Sequence, residues 1–147
     1  MLSFPLNNSS GQFSGRETSL EDTANFAVWY RRGEVLASLG HYSEALRNFE
    51  EALALESDNC DALLYAAVCL IHLQRPHEAL VRCDRILAQV PSHTQAWMFR
   101  GVALHRLGHY SESYTCYSRA TGSPVRNLGQ QLGRSIREKL MRLGILI

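Results

Sequence analysis

Several things are missing from these 147 residues, and each absence narrows what the chain can be. No apolar run approaches the roughly 18 residues a membrane-crossing helix needs. The opening stretch, MLSFPLNNSSG, has neither a basic start nor a long apolar core, so no export leader is expected. Cysteine is sparse: Cys60, Cys69, Cys83 and Cys116 follow no CxxC and no zinc-ligand spacing. Free thiols without an export signal point to a reducing, cytoplasmic setting. The phosphate-cradling P-loop, the GxSxG nucleophile turn and the HExxH metal pair are all absent, so neither an enzyme nor a cofactor is expected. Charge of one sign is also lacking. The net charge of +1 argues against a dedicated nucleic-acid binder.

What charge there is lies unevenly. Residues 1–59 carry four basic and nine acidic side chains, net −5. Residues 94–147 carry eight basic and two acidic, net +6. The chain is acidic early and basic late. That polarity suits steering of a charged partner or head-to-tail contact, although a solvated surface accounts for it as simply.

The histidines and cysteines give no site. His105 and His109 are four apart, but Gly108 interrupts the helix between them. His41 and His109 are one loop position seen twice. Cys69 and Cys83 fall at core-facing positions, where a free thiol acts as a small apolar group. Cys60 opens a helix, and nothing else supports a thiol enzyme.

The strongest positive signal is repetition. LGHYSE occurs at 39–44 and again at 107–112, a spacing of 68 that halves to 34. In a 34-residue frame, units 26–59, 60–93 and 94–127 align without a gap until Pro124 closes the third early. Position 4 is Trp29, Leu63 and Trp97; position 8 is Gly33, Ala67 and Gly101; position 24 is Phe49, Cys83 and Tyr117. Small residues recur at position 20 (Ala45, Ala79, Ser113), with Ala52, Ile86 and Ala120 at position 27. Each unit reads as two helices. Trp29, Leu36 and Leu39 keep helical spacing until Gly40 ends the run. HYSEAL restarts it, with Ser43 placed to cap the second helix. Pro76 suits a first helical turn. Small side chains at positions 8 and 20 let two helices cross closely, at about 8–9 Å.

These residues resemble the tetratricopeptide repeat (TPR) family: Trp29, Gly33, Ala45, Phe49 and Ala52; Ala67, Ala79 and Pro91; Trp97, Gly101, Tyr110 and Ala120. The resemblance covers about 100 of the 147 residues. Ser57 and Cys83 depart from it, standing where a proline and an aromatic are usual. It implies an all-α, right-handed α-solenoid of three TPR helix pairs plus a C-terminal capping helix. The expected division is a flexible N-terminal segment at 1–18, a three-repeat domain at 19–124 (repeats 26–59, 60–93 and 94–124), and a capping helix with an apolar tail at 125–147. Ser19 and Asp22 form a capping-box pattern that starts the first helix near Leu20. In the last segment Leu128, Leu132, Ile136, Leu140 and Leu143 make one stripe, and Arg134, Arg137, Lys139 and Arg142 lie off it. A solenoid's last repeat needs such a cover.

The resemblance further implies protein binding along the concave side, lined by the first helix of each pair. The implied lining is Tyr30, Arg31, Glu34, Leu64, Tyr65, Val68, Ile71, Met98, Phe99, Val102, His105 and Arg106. Its apolar and aromatic members suit an apolar segment of a partner protein. The residues matching the heat-shock-chaperone carboxylate clamp are Tyr30, Glu34, Tyr65, Gln95 and Phe99; lacking basic donors, they imply no clamp. The expectation is a non-catalytic adaptor. The alternative is a homo-oligomeric assembly protein or small TPR chaperone whose groove is filled by its own N-terminus or another copy. The apolar end GILI offers a further surface for self-association.

Overall fold

The computed structural model describes residues 20–123, together with Glu138, Met141, Arg142 and Gly144. Six helices follow one another: α1 Leu20–Ser38, α2 Tyr42–Leu55, α3 Cys60–His72, α4 Pro76–Gln89, α5 Thr94–Arg106 and α6 Tyr110–Thr121. The described residues contain no strand. Each helix packs chiefly on the next, and α3 also touches α1 and α5. Helices α1, α3 and α5 thus form one layer and α2, α4 and α6 the other. This is an all-helical solenoid of three helix pairs.

The corners between paired helices share one geometry. Gly40 and Gly108 both sit at φ 81°. The next amide reaches back to the carbonyl five residues earlier: His41 N–H to Leu36 at 2.9 Å, and His109 N–H to Leu104 at 2.9 Å. Glycine takes this left-handed position without steric cost. The middle repeat builds the same corner with Gln74 at φ 60°, and Arg75 N–H donates to Leu70 at 2.8 Å.

The turns between repeats end in side-chain caps. Asn59 Oδ1 accepts from Ala62 N–H, and His93 Nδ1 accepts from Ala96 N–H, both at 3.1 Å. Pro76 opens α4 at its first turn, as expected. The cap expected from Ser43 is not made. His41 occupies the cap position of α2 and makes no side-chain cap bond. The glycine corner brings the chain straight into the helix, which leaves Ser43 one residue inside it.

Within each pair the close approach is sharp. A methyl group added at Gly33 would lie 2.7 Å from the Phe49 ring, and one at Gly101 would lie 2.5 Å from the Tyr117 ring. The middle repeat evens out the sizes, with Ala67 in place of glycine and Cys83 in place of the aromatic, both fully buried. Buried Ser113 donates from Oγ to the Gly101 carbonyl at 2.8 Å, so its hydroxyl is satisfied at the crossing. Arg82 reaches Glu50 at 3.2 Å, Arg85 reaches Asp58 at 2.9 Å, and Arg100 reaches Asp84 at 2.8 Å, tying neighbouring repeats along the outer side.

The expected segment 1–18, Ser19 of the capping box, Pro124 and most of the expected C-terminal helix lie outside the described residues. Of the latter, Glu138, Met141 and Arg142 are helical. None of the described helices is long and apolar enough to cross a membrane.

Candidate functional site

The layer of α1, α3 and α5 carries all twelve residues of the implied lining, and it brings them together in three groups. The first is aromatic and acidic. Tyr30 lies 5.7 Å from Phe26, 5.8 Å from Phe49 and 5.8 Å from Tyr65, ring centre to ring centre. Phe49 and Tyr65 stack at 5.3 Å. Both phenols lie beside the Glu34 carboxylate. Burial, then the negative charge of Glu34, raises both above the ordinary phenol range, with Asp61 adding to the effect. They stay neutral.

The second group is apolar. Leu64, Met98, Phe99 and Val102 are at most 8% exposed, and Ile71 is fully buried. Val68 is half-buried, while Tyr65 keeps 37% of its surface. Phe99 and Ile71 belong to the core. Helix α3 is apolar round most of its circumference, a pattern that marks a helix covered on every side.

The third group is polar. Arg31, His105 and Arg106 are exposed. Arg106 donates to Gln74 Oε1 at 3.1 Å, and the His105 ring meets Tyr110 edge-on at 4.9 Å. Helix α5 therefore ends in bonds to the adjacent corners.

Two features escape sequence reading. Tyr42 and His72 stack face to face, 3.9 Å apart and 4° from parallel. These residues belong to different repeats, and no local spacing marks the pair. An open cleft of about 320 Å³ also lies between α4, α5 and α6, lined by Asp84, Trp97, Arg100, Cys116 and Arg119 among others. Its charges are engaged: Arg100 pairs with Asp84 and donates to Cys116 Sγ at 3.1 Å, while Arg119 lies 4.6 Å over the Trp97 ring.

Comparison with known proteins bears on the fold first. A family model described as tetratricopeptide repeat matches residues 36–103, and a second with the same description matches 94–123. The first TPR of Spaghetti (RPAP3), bound to HSP90 peptide SRMEEVD, is 21% identical with a TM-score of 0.64, covering 82% of this chain and 91% of that one. The Arabidopsis OM64 TPR domain is 17% identical with a TM-score of 0.67, covering 83% and 96%. The TPR2B domain of yeast Sti1, in complex with pHsp70, is 16% identical with a TM-score of 0.64, covering 82% and 93%.

These neighbours correct one expectation. The exclusion of a heat-shock-chaperone clamp does not stand, because solved structures sharing this fold hold HSP90 or HSP70 partners. The physical fault lies in the positions used. Phe99 is a core residue at 3% exposure, and Tyr30 is held in the aromatic cluster. A missing basic group at such positions does not describe the surface a peptide would meet.

Proposed function

This chain belongs to the tetratricopeptide repeat family, and from that premise we propose that it is a non-catalytic adaptor whose inner helical layer takes an extended or helical segment of a partner protein. The partner segment is apolar and meets Val68, the member of the apolar group that keeps open surface. Tyr65 closes one end, and Arg31 and Arg106 orient the ligand's polar groups. One observation carries the reading: on α3, otherwise packed among α1, α2, α4 and α5, Tyr65 and Val68 keep open surface. The neighbours' HSP90 and HSP70 peptides make acidic C-terminal peptides a second ligand class to be tried beside the apolar one.

Capture from native lysate, read by mass spectrometry, tests the reading. Wild type runs beside a Tyr65→Glu/Val68→Glu variant, after circular dichroism has established that both are equally helical. A protein retained by wild type and lost by the variant supports the inner layer as the binding surface. Identical captured sets would move the adaptor role to another face.

The lengthwise charge asymmetry favours a second reading, in which the acidic start of one copy meets the basic end of another. Light scattering across concentration decides it, since a strict monomer excludes that assembly.

A further inference from the structure

The 34-residue period gives each position at the joint between the first and second repeats a counterpart at the joint between the second and third. At the first joint Arg85 reaches back from α4 and finds two acceptors, the Ser57 carbonyl at 2.7 Å and Asp58 Oδ1 at 2.9 Å. Its counterpart at the second joint is Arg119 on α6, and both acceptors are lost to it. Ser92 stands in the place of Asp58. Pro91 stands in the place of Ser57, and its carbonyl accepts from the Trp97 indole N–H at 2.8 Å. Among the described residues Arg119 has no carboxylate partner; its exposed guanidinium lies 4.6 Å over the Trp97 ring. An aromatic face attracts a cation but brings no charge to balance it.

Further exchanges shape the space beside it. At the first joint Arg82 reaches Glu50 at 3.2 Å. Their counterparts are Cys116 and Asp84. The shorter Cys116 leaves Asp84 to Arg100, which comes from α5 at 2.8 Å. Leu63, fully buried at the first joint, becomes Trp97, which is half-buried. These residues line the cleft of about 320 Å³ between α4, α5 and α6, with Trp97 and Leu87 as its apolar wall and Arg119 in its lining.

The charges in the cleft define what fits. Asp84 is spent on Arg100, and Glu112 lies 3.5 Å from His109 Nδ1. Two arginines and two carboxylates leave the lining without net charge, so a polyanion such as nucleic acid finds no field to follow. One cation, Arg119, is left to be balanced beside an aromatic wall. Tryptophan and arginine are also the side chains that most often carry binding energy between proteins.

We infer that this cleft is a second binding site, which takes a single carboxylate side chain flanked by apolar residues from an extended segment of a partner protein. The carboxylate takes the role that Asp58 has at the first joint and accepts from the Arg119 guanidinium. A flanking apolar side chain lies against Trp97 and Leu87. The site is on the α4 and α6 side of the stack and stands apart from the inner-layer function proposed above.

The two tryptophans make the test direct, since Trp97 lines the cleft and Trp29 lies away from it on α1. Their indole N–H signals are followed by nitrogen–proton correlation NMR in the full chain. The probes are the end-blocked tripeptides Leu-Glu-Leu and Leu-Gln-Leu, each taken to about 10 mM, a range that reads a millimolar Kd. The expected result is a saturable shift of the Trp97 signal with Leu-Glu-Leu, at least about five-fold weaker binding of Leu-Gln-Leu, and no movement of Trp29. Arg119→Gln should remove the difference between the peptides. Ser92→Asp returns the acid of the first joint to the second, so it should pair with Arg119 and weaken Leu-Glu-Leu by a similar factor. Circular dichroism checks that both variants keep the helicity of wild type. Equal binding of the two peptides, no shift of Trp97, or joint movement of Trp29 and Trp97 overturns the inference. Undiminished binding of Leu-Glu-Leu by either variant does the same.

Discussion

At the residue scale, the fold depends on volumes exchanged across one crossing. In the outer two repeats glycine faces an aromatic ring so closely that a methyl group would collide. In the middle repeat the same two positions hold Ala67 and Cys83, a larger residue against a smaller one. Cys83 is therefore a compensated exchange. Cys83→Phe alone should destabilise by about 1–3 kcal/mol through overpacking. Adding Ala67→Gly should recover much of the loss, and a double-mutant cycle in urea measures the coupling. Additive effects would show that the two side chains do not share this crossing.

Gln74 offers a second test. It holds a left-handed conformation that glycine takes in the other two corners. Gln74→Gly should raise stability by roughly 1 kcal/mol, read from the urea midpoint. The gain is reduced by losing the bond from Arg106.

The thiols give a third. Burial pushes Cys69 and Cys83 up to about 12, from an ordinary value of 9.0. The folded chain thus favours the neutral thiol more than the unfolded chain does. Their stabilising effect is complete below about pH 9 and is lost as pH rises towards 12. Native protein at neutral pH should label at Cys60 alone with a thiol reagent, the other three reacting only on unfolding. Prompt labelling of Cys69 or Cys83 would contradict the packing.

At the element scale, six helices and their order were legible because period, glycine corners and Pro76 all reported the same boundaries. What was not legible depended on neighbours. Ser43 has the right chemistry for a cap, but the corner at Gly40 sets the helix start earlier, and His41 takes the place. The caps that do form are Asn59 and His93, which precede the first helix of a repeat. Asn59→Ala should cost about 1 kcal/mol and lower the thermal midpoint. Asn59→Asp should recover part of that stability, since a carboxylate also accepts from Ala62 N–H at the helix N-terminus but loses the amide's donation to Glu56 at 3.0 Å. Equal loss in both variants would assign Asn59 another role.

At the scale of the whole molecule, the helical layer that carries the candidate residues was legible and their exposure was not. Repeat position says that Leu64, Met98 and Val102 share a face. It does not say how deeply they are buried, because burial depends on residues distant in sequence. The same limit produced the mistaken exclusion of chaperone peptides, which treated Phe99 as surface when it is core. The aromatic end at Tyr30 and Tyr65, with Glu34 beside it, arises only when α1 and α3 are set side by side. A solenoid distributes its binding surface over successive repeats. One substitution at an exposed inner position should therefore weaken a ligand without unfolding the stack.

The most direct test of this account is a fluorescence-anisotropy titration of one labelled apolar amphipathic peptide into wild type and into Val68→Glu. Val68 is half-buried on α3 and belongs to the proposed seat. The account predicts binding to wild type and at least about a ten-fold loss in the variant, with helicity unchanged. Equal affinity in the two proteins would contradict the inner layer as the binding surface.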